Sequence, residues 1–255
     1  MTSEDLATAA FDRHPGHDGP PRRSYLLCSA PRTGSTLLLG ALWETGRLAT
    51  PTEYFDPTAT QRWLMHRWGV RDLAGYVRLL HRRRTDAAGL FAAKVHWFQL
   101  VELARGLGLE PAATVDRIAP SCRFVHVRRR DRDAQAVSWA IAEQTGRWGR
   151  RSGERDAVET VAYDAEHIAD CRRRIDAAQA GWSALFAVLD VAPCDVVYED
   201  LVADYAGTVA RVADFLGVPL DPAQAPPPQL RRQADERSAA MLARWCWDRE
   251  GDQIL

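Results

Sequence analysis

The sequence predicts an α/β protein in which a central parallel sheet is flanked by helices. Strand-like runs at 24–28, 90–96, 123–127 and 195–198 alternate with helical stretches, the pattern of an open, mostly parallel sheet. The first run passes through a tight basic turn straight into the apolar stretch Leu37 to Trp43. With 46% hydrophobic residues, 255 residues suffice for one sizeable core. In such a sheet, ligands collect in the loops that follow the carboxyl ends of the strands.

Residues 1–22 are expected to form a flexible tail, and 23–255 the domain. The first twenty residues are rich in Asp, Glu, Gly, Pro and His and have no apolar core, unlike a secretory signal or a membrane anchor. Helices are expected at 37–45, 71–83, 133–144, 156–189 with breaks, 205–216 and 230–248. Leu216-Gly217-Val218-Pro219 stops the fifth of these, and Pro226 to Pro228 lead rigidly into the last. No run approaches the ~18 apolar residues needed to span a bilayer, so a cytoplasmic protein without membrane insertion is expected. Thirty-three basic residues against 34 acidic ones argue against a nucleic-acid partner, leaving the arginines at 82–84 and 128–130 to be explained locally. Five cysteines without a Cys-x-x-Cys pair suggest neither a disulfide framework nor a zinc site, and most of them read as small buried groups.

The segment Ser24 to Thr36 carries the chemistry. Its order, strand then loop then helix, sets the backbone N–H groups of Gly34, Ser35 and Thr36 at a helix start, where unpaired donors and the dipole hold an anion. Thr33 completes the loop. Gly-x-x-x-x-Gly-Lys-Ser/Thr is absent, and the cation, Arg32, precedes the glycine. A second anion site is expected where Arg130 ends a strand and Ser138, eight positions on, lies within the next helix. Tyr198-Glu199-Asp200 resembles a magnesium-binding strand end, but a kinase would want the loop lysine that is missing.

Taken in order, Cys28 to Leu38, Glu53-Tyr54-Phe55, Gly89 to Trp97, Arg129 to Ser138, Gln144 to Trp148, Tyr198 to Leu201 and Arg232 to Asp235 resemble the bacterial trehalose sulfotransferase family. That family is a branch of the sulfotransferases that use 3′-phosphoadenosine 5′-phosphosulfate (PAPS). The resemblance covers about residues 23–250 and implies the P-loop-like sulfotransferase fold, PAPS as sulfonyl donor, a sugar or glycoside hydroxyl as acceptor, and a homodimer. It also implies that Arg32 to Thr36 grip the 5′-phosphosulfate and that Arg130 and Ser138 hold the 3′-phosphate. The chain departs from the cytosolic eukaryotic enzymes at Leu37, where those have a tryptophan on adenine; the adenine platform is unassigned.

Sulfuryl transfer needs an in-line hydroxyl, cations for charge on the leaving phosphate, and a base, with no metal required. Arg32 and Lys94 are the expected cations. Glu53 matches the glutamate that serves as base in the family, while His96 has the more suitable ordinary pKa; the expectation is Glu53, with His96 as orienting partner or substitute. Some of the nine tryptophans are expected to line a sugar pocket. The alternatives are an acceptor that is a glycosylated lipid or secondary metabolite, a phosphate-loop kinase, and a noncatalytic nucleotide-binding module.

Overall fold

The computed structural model describes residues 17–148, 161–228, 230 and 236–252. Four strands, β1 (Arg23–Ser29), β2 (Leu90–His96), β3 (Cys122–Arg128) and β4 (Cys194–Val197), pair in parallel in the order β2-β1-β3-β4. Between and after them run α1 (Ser35–Glu44), α2 (Thr60–Arg67), α3 (Leu73–Arg84), α4 (Trp97–Leu107), α5 (Pro111–Ile118), α6 (Arg132–Thr145), α7 (Ala165–Val188), α8 (Tyr198–Ala203), α9 (Tyr205–Phe215) and α10 (Glu236–Asp252). Leaving β1 the chain crosses to one side of the sheet, and leaving β3 it crosses to the other. The crevice between these two carboxyl ends is the switch point at which α/β sheets bind ligands.

Alternation along the strands sorts side chains between two cores. Leu26, Cys28, Phe91, Val95 and Phe124 face α3, α4, α5 and α7. Tyr25, Leu27, Ala92, Val125 and Val127 face α1 and α9. A third cluster joins α6, α7 and α10 through Trp139, Ile168, Ile175 and Trp245. Part of the arginine run at 82–84 is structural: Arg84 is buried with its guanidinium over the rings of Tyr54 and Trp68, and Arg83 also lies over Trp68.

Several elements differ from expectation. The long helix α7 is unbroken from Ala165 to Val188, capped by the Asp164 carboxylate on the His167 N–H; residues 156–160 of the expected helical stretch lie outside the described residues. Tyr198 opens α8 instead of ending the fourth strand, because two acids follow it in the first helical turn. Helices α2, α4 and α5 were not anticipated, and α4 starts directly from the last residue of β2 with no turn residue between. Of the proposed tail, residues 1–16 lie outside the described residues. His17 and Arg22 donate backbone N–H groups to the Arg82 and Gly89 carbonyls (3.1 and 2.9 Å), and Pro21 is buried. Residues 231–235, which include Arg232 to Asp235, also lie outside the description.

Trp182 of α7 fixes the helix layer to the sheet. Fully buried, it stacks on Phe186, meets Trp97 edge-on and donates its indole N–H to the Ser29 carbonyl at the end of β1 (3.0 Å). Gly181 is required beside it, since a Cβ there would lie 2.1 Å from the Trp97 ring. Trp182→Phe keeps most of the apolar volume but removes the indole hydrogen bond to a buried carbonyl, so stability should fall by about 0.5–1.5 kcal/mol. Urea unfolding measures this, and an unchanged midpoint would show that the hydrogen bond contributes nothing.

Candidate active site

The loop after β1 is curled by two left-handed residues, Arg32 (φ 66°) and Gly34 (φ 77°), on either side of Thr33. Such alternation turns successive N–H groups toward one concave side. Thr33 ties the loop down by donating its hydroxyl to the Ala30 carbonyl (3.1 Å), and the Gln135 amide reaches the Pro31 carbonyl (2.7 Å). No side chain caps α1. Its first N–H groups thus remain available at the positive end of the dipole. Gly34 answers a steric need as well: a Cβ would come within 2.5 Å of the Tyr198 ring. Ser35 is buried behind the loop and Thr36 is half-buried at its rim.

Beside this cradle lies an acid–base cluster. Lys94, buried near the end of β2, forms an ion pair with Glu53 and donates to the Thr36 hydroxyl (2.9 Å). It thereby joins the carboxylate to the start of α1. Glu53 sits on a firmly held loop: the Thr52 carbonyl accepts the Lys94 N–H (2.9 Å), Tyr54 donates to the Thr50 carbonyl (2.7 Å), and Tyr76 donates to the Tyr54 carbonyl (2.6 Å). His96 Nε2 lies 3.5 Å from Glu53 Oε2, while its Nδ1 is hydrogen-bonded to the Ser29 hydroxyl (3.0 Å). Gln99, missed in the sequence, accepts the His96 backbone N–H (2.9 Å) and donates to Glu53 (3.2 Å). Its signal is its place three residues beyond His96, at the third position of a helix that begins without a turn.

The electrostatics separate the two base candidates. Burial pushes the Glu53 carboxyl up, but the Lys94 ammonium, with His96 and the hydrogen bonds from Lys94 and Gln99, brings it down to about 2. Burial lowers His96 to about 4, outweighing the pull of Glu53, so its ring is neutral at pH 7. Arg32 is brought down to about 10 by burial and by the charge of Arg129 beside it, and remains a cation.

The second expected anion site is arranged differently from its simplest reading. Ser138 accepts a hydrogen bond from Arg32 Nε (3.0 Å), and Arg32 also reaches the Trp148 carbonyl (2.5 Å). Arg130 points to the surface and pairs with Asp200 (2.9 Å), while its N–H and that of Asp131 are bound by the Glu199 carboxylate. Arg129, not singled out in the sequence, is the arginine that turns inward. Its guanidinium lies over the Tyr198 ring (5.0 Å), and its buried Nε lies 3.7 Å from Glu199, too far for a hydrogen bond.

This arrangement fits a phosphosulfate donor: an uncapped helix start, a glycine with no room for a side chain, and an inward arginine whose Nε lacks a hydrogen bond. Fold and site define a group-transfer enzyme for anionic donors. Residues 24–248 match the family described as Stf0 sulphotransferase, and the chain belongs to that family. It is 31% identical to the trehalose 2-sulfotransferase of Mycobacterium tuberculosis (strain Erdman), over 88% of this chain and 94% of that protein. To the trehalose 2-sulfotransferase of Mycolicibacterium smegmatis it is 32% identical, over 91% and 97%. The fold is also that of the crystal structure of a sulfotransferase from Alicyclobacillus acidocaldarius (TM-score 0.52, 16% identity, 89% of this chain and 92% of that one). The protein is a sulfotransferase, the family implies PAPS as donor, and the kinase and noncatalytic alternatives are set aside.

Both depressed pKa values tie stability to pH with the same sign. An unfolded histidine takes up its proton below about 6.5, but folded His96 does so only near 4, so its contribution is complete above 6.5 and is lost as pH falls toward 4. Glu53 extends the loss from 4.5 toward 2. The native state should therefore weaken from pH 6.5 to 4.5 with a His96 share of up to about 1.4 kcal/mol per pH unit. In His96→Gln that share should disappear, as read by urea unfolding across this range; equal slopes in both proteins would mean that His96 titrates normally.

Proposed function

We propose that this enzyme transfers the sulfuryl group of PAPS to a hydroxyl of trehalose or a related glycoside, with Glu53 as general base. The observation that carries this reading is the position of Lys94, which bridges the Glu53 carboxylate and the Thr36 hydroxyl at the start of α1. A base, a cation and the anion cradle are thereby adjacent. The similarity to two trehalose 2-sulfotransferases over most of both chains supports the acceptor.

In this mechanism the N–H groups of Gly34, Ser35 and Thr36 hold the 5′-phosphosulfate while Arg32 and Lys94 face its charge. The acceptor oxygen forms its bond to sulfur as the sulfur–oxygen bond to the 5′-phosphate breaks, and that phosphate leaves with the electron pair. Glu53 takes the hydroxyl proton, with Gln99 fixing the carboxylate and neutral His96 bordering it. Charge compensation is assigned to Arg32 and Lys94 rather than to a metal ion. Sharing Lys94 with the incoming anion would relax its hold on Glu53 and raise the carboxyl from its resting value, making it a better base. The 3′-phosphate is assigned to Arg130 and Ser138, for which the exposed Arg130–Asp200 pair must open; such pairs are weak. Homodimerisation belongs to the same reading on the resemblance alone, and a cytoplasmic setting on the want of a long apolar run in the sequence; no described helix is long and apolar enough to cross a membrane.

Glu53→Gln should lower the single-turnover rate by about 10²–10⁴ while sparing 3′,5′-bisphosphate affinity, and His96→Ala should do less damage. A near-normal glutamine variant beside an inactive alanine variant would transfer the role to His96. Product mass from a panel of sugars and glycosides tests the acceptor, and sulfation of lipid glycosides alone would overturn trehalose.

Arg130→Ala should weaken 3′,5′-bisphosphate binding by roughly tenfold or more, the cost of a lost charge-assisted contact. Calorimetric titration of Arg129→Ala alongside it decides the assignment. A loss confined to the Arg129 variant would move the 3′-phosphate to the inward arginine.

A further inference from the structure

Away from the sulfuryl-transfer residues, one side-chain cluster has the composition of a metal centre. Glu143 near the end of α6 faces His167 and Cys171, which lie one turn apart at the start of α7, and their ligand atoms all lie within 4.8 Å of one another. His167 Nε2 is 2.7 Å from Glu143 Oε2, and Cys171 Sγ is 3.9 Å from the same oxygen. Cys171 is fully buried, whereas His167 and Glu143 are each 26% exposed, so the cluster is closed on its sulfur side and open to water on the other. We propose that Glu143, His167 and Cys171 bind one zinc ion, with water as fourth ligand, as a structural clip between α6 and α7.

The donor set favours zinc among divalent ions. A thiolate and an imidazole exclude the hard cations magnesium and calcium, and one carboxylate completes a three-residue set that leaves one tetrahedral position open. Ligand bonds of about 2.0–2.3 Å place the donor atoms roughly 3.2–3.8 Å apart around the ion. The Glu143 and Cys171 atoms are already near that spacing, and Glu143 and His167 need to separate by about an ångström, exchanging a shared proton for the metal.

Arg174 is the evident objection, because it donates to Glu143 Oε1 (3.0 Å). Its shorter bond is to the carboxylate oxygen opposite the one facing His167 and Cys171 and so orients the ligand, while the longer contact of the same nitrogen with Oε2 (3.4 Å) must give way to the ion. The guanidinium is also held over the Trp139 ring (4.1 Å) and near Asp170 (3.7 Å). With the Cys171 proton released, Glu143 and Cys171 set two negative charges against the two of zinc, and Asp170 faces Arg173 (3.1 Å) as well as Arg174. An ion pair cluster alone would not need a thiol one turn from the histidine.

The test uses the full chain, freed of metal with a chelator and dialysed, then titrated with cobalt and with zinc. One cobalt per chain should bind with an intense sulfur-to-cobalt charge-transfer band, zinc should displace it, and zinc should raise the thermal midpoint. Cys171→Ser should lose the band. His167→Ala and Glu143→Gln, at partly exposed positions, should each weaken zinc by about tenfold or more, with an unchanged far-ultraviolet circular dichroism spectrum and cooperative unfolding confirming an intact domain. Absence of the band in the parent protein, its persistence in Cys171→Ser, or unaltered zinc affinity in the other two variants would overturn the proposal.

Discussion

The site depends on the buried ammonium of Lys94. A lysine almost fully removed from water near the end of the outer strand β2 needs a counter-charge, and the chain supplies it with Glu53 from a loop anchored by the buried rings of Tyr54 and Phe55. The Thr36 hydroxyl, on the first turn of α1, is the second partner. The buried charge therefore stands between the carboxylate and the start of α1. Its attraction to Glu53 makes that group a weak base at rest, and competition from an anionic donor would strengthen it. In the proposed mechanism, base strength and donor binding thus become one electrostatic event.

The parallel sheet makes this economy possible. All four strands point their carboxyl ends the same way, so the cradle after β1, Lys94 and His96 on β2, the arginines after β3 and Tyr198 after β4 meet at one edge. Contacts between these loops are steric as well as electrostatic. Tyr198 lies against Gly34 on one side and under Arg129 on the other, so the fourth strand, although short, sets how tightly the cradle closes. The carboxylates of Glu199 and Asp200 next to it hold the backbone and side chain of the arginine loop.

Much of this was legible from local order. The strands at 24–28, 90–96 and 123–127 differ from those observed by at most a residue at each end, because each is a compact apolar run with a defined stop. Glycine between a basic residue and a Ser-Thr pair announced the cradle. What escaped was of two kinds. Helix α4 lacks a turn before it, since His96 is both the last strand residue and the helix cap, so nothing local marks its start. Gln99 became invisible with it. The second kind is choice among equals: three consecutive arginines are indistinguishable by spacing, and only the fold shows that Arg129 turns inward while Arg130 turns out. Most of the cysteines, Cys28, Cys171 and Cys194, are buried as expected, but the absence of Cys-x-x-Cys is a rule blind to a thiol beside a histidine one turn away and a glutamate on another helix.

That last cluster bears on why α6 is held at both ends. At its start the Asp131 carboxylate accepts the Ala134 N–H, and Asp133 gathers Arg172, Trp245 and Arg249 from the neighbouring helices. Near its far end, Glu143 gathers His167 and Arg174. Between them Ser138 receives the Arg32 hydrogen bond. Arg32 is in a left-handed conformation that a non-glycine residue holds only when its surroundings over-determine it. A helix free to slide would release Ser138 and allow that residue to relax, so the two polar anchors of α6 on α7, remote from the reacting atoms in sequence, act on the geometry of the cradle through the serine.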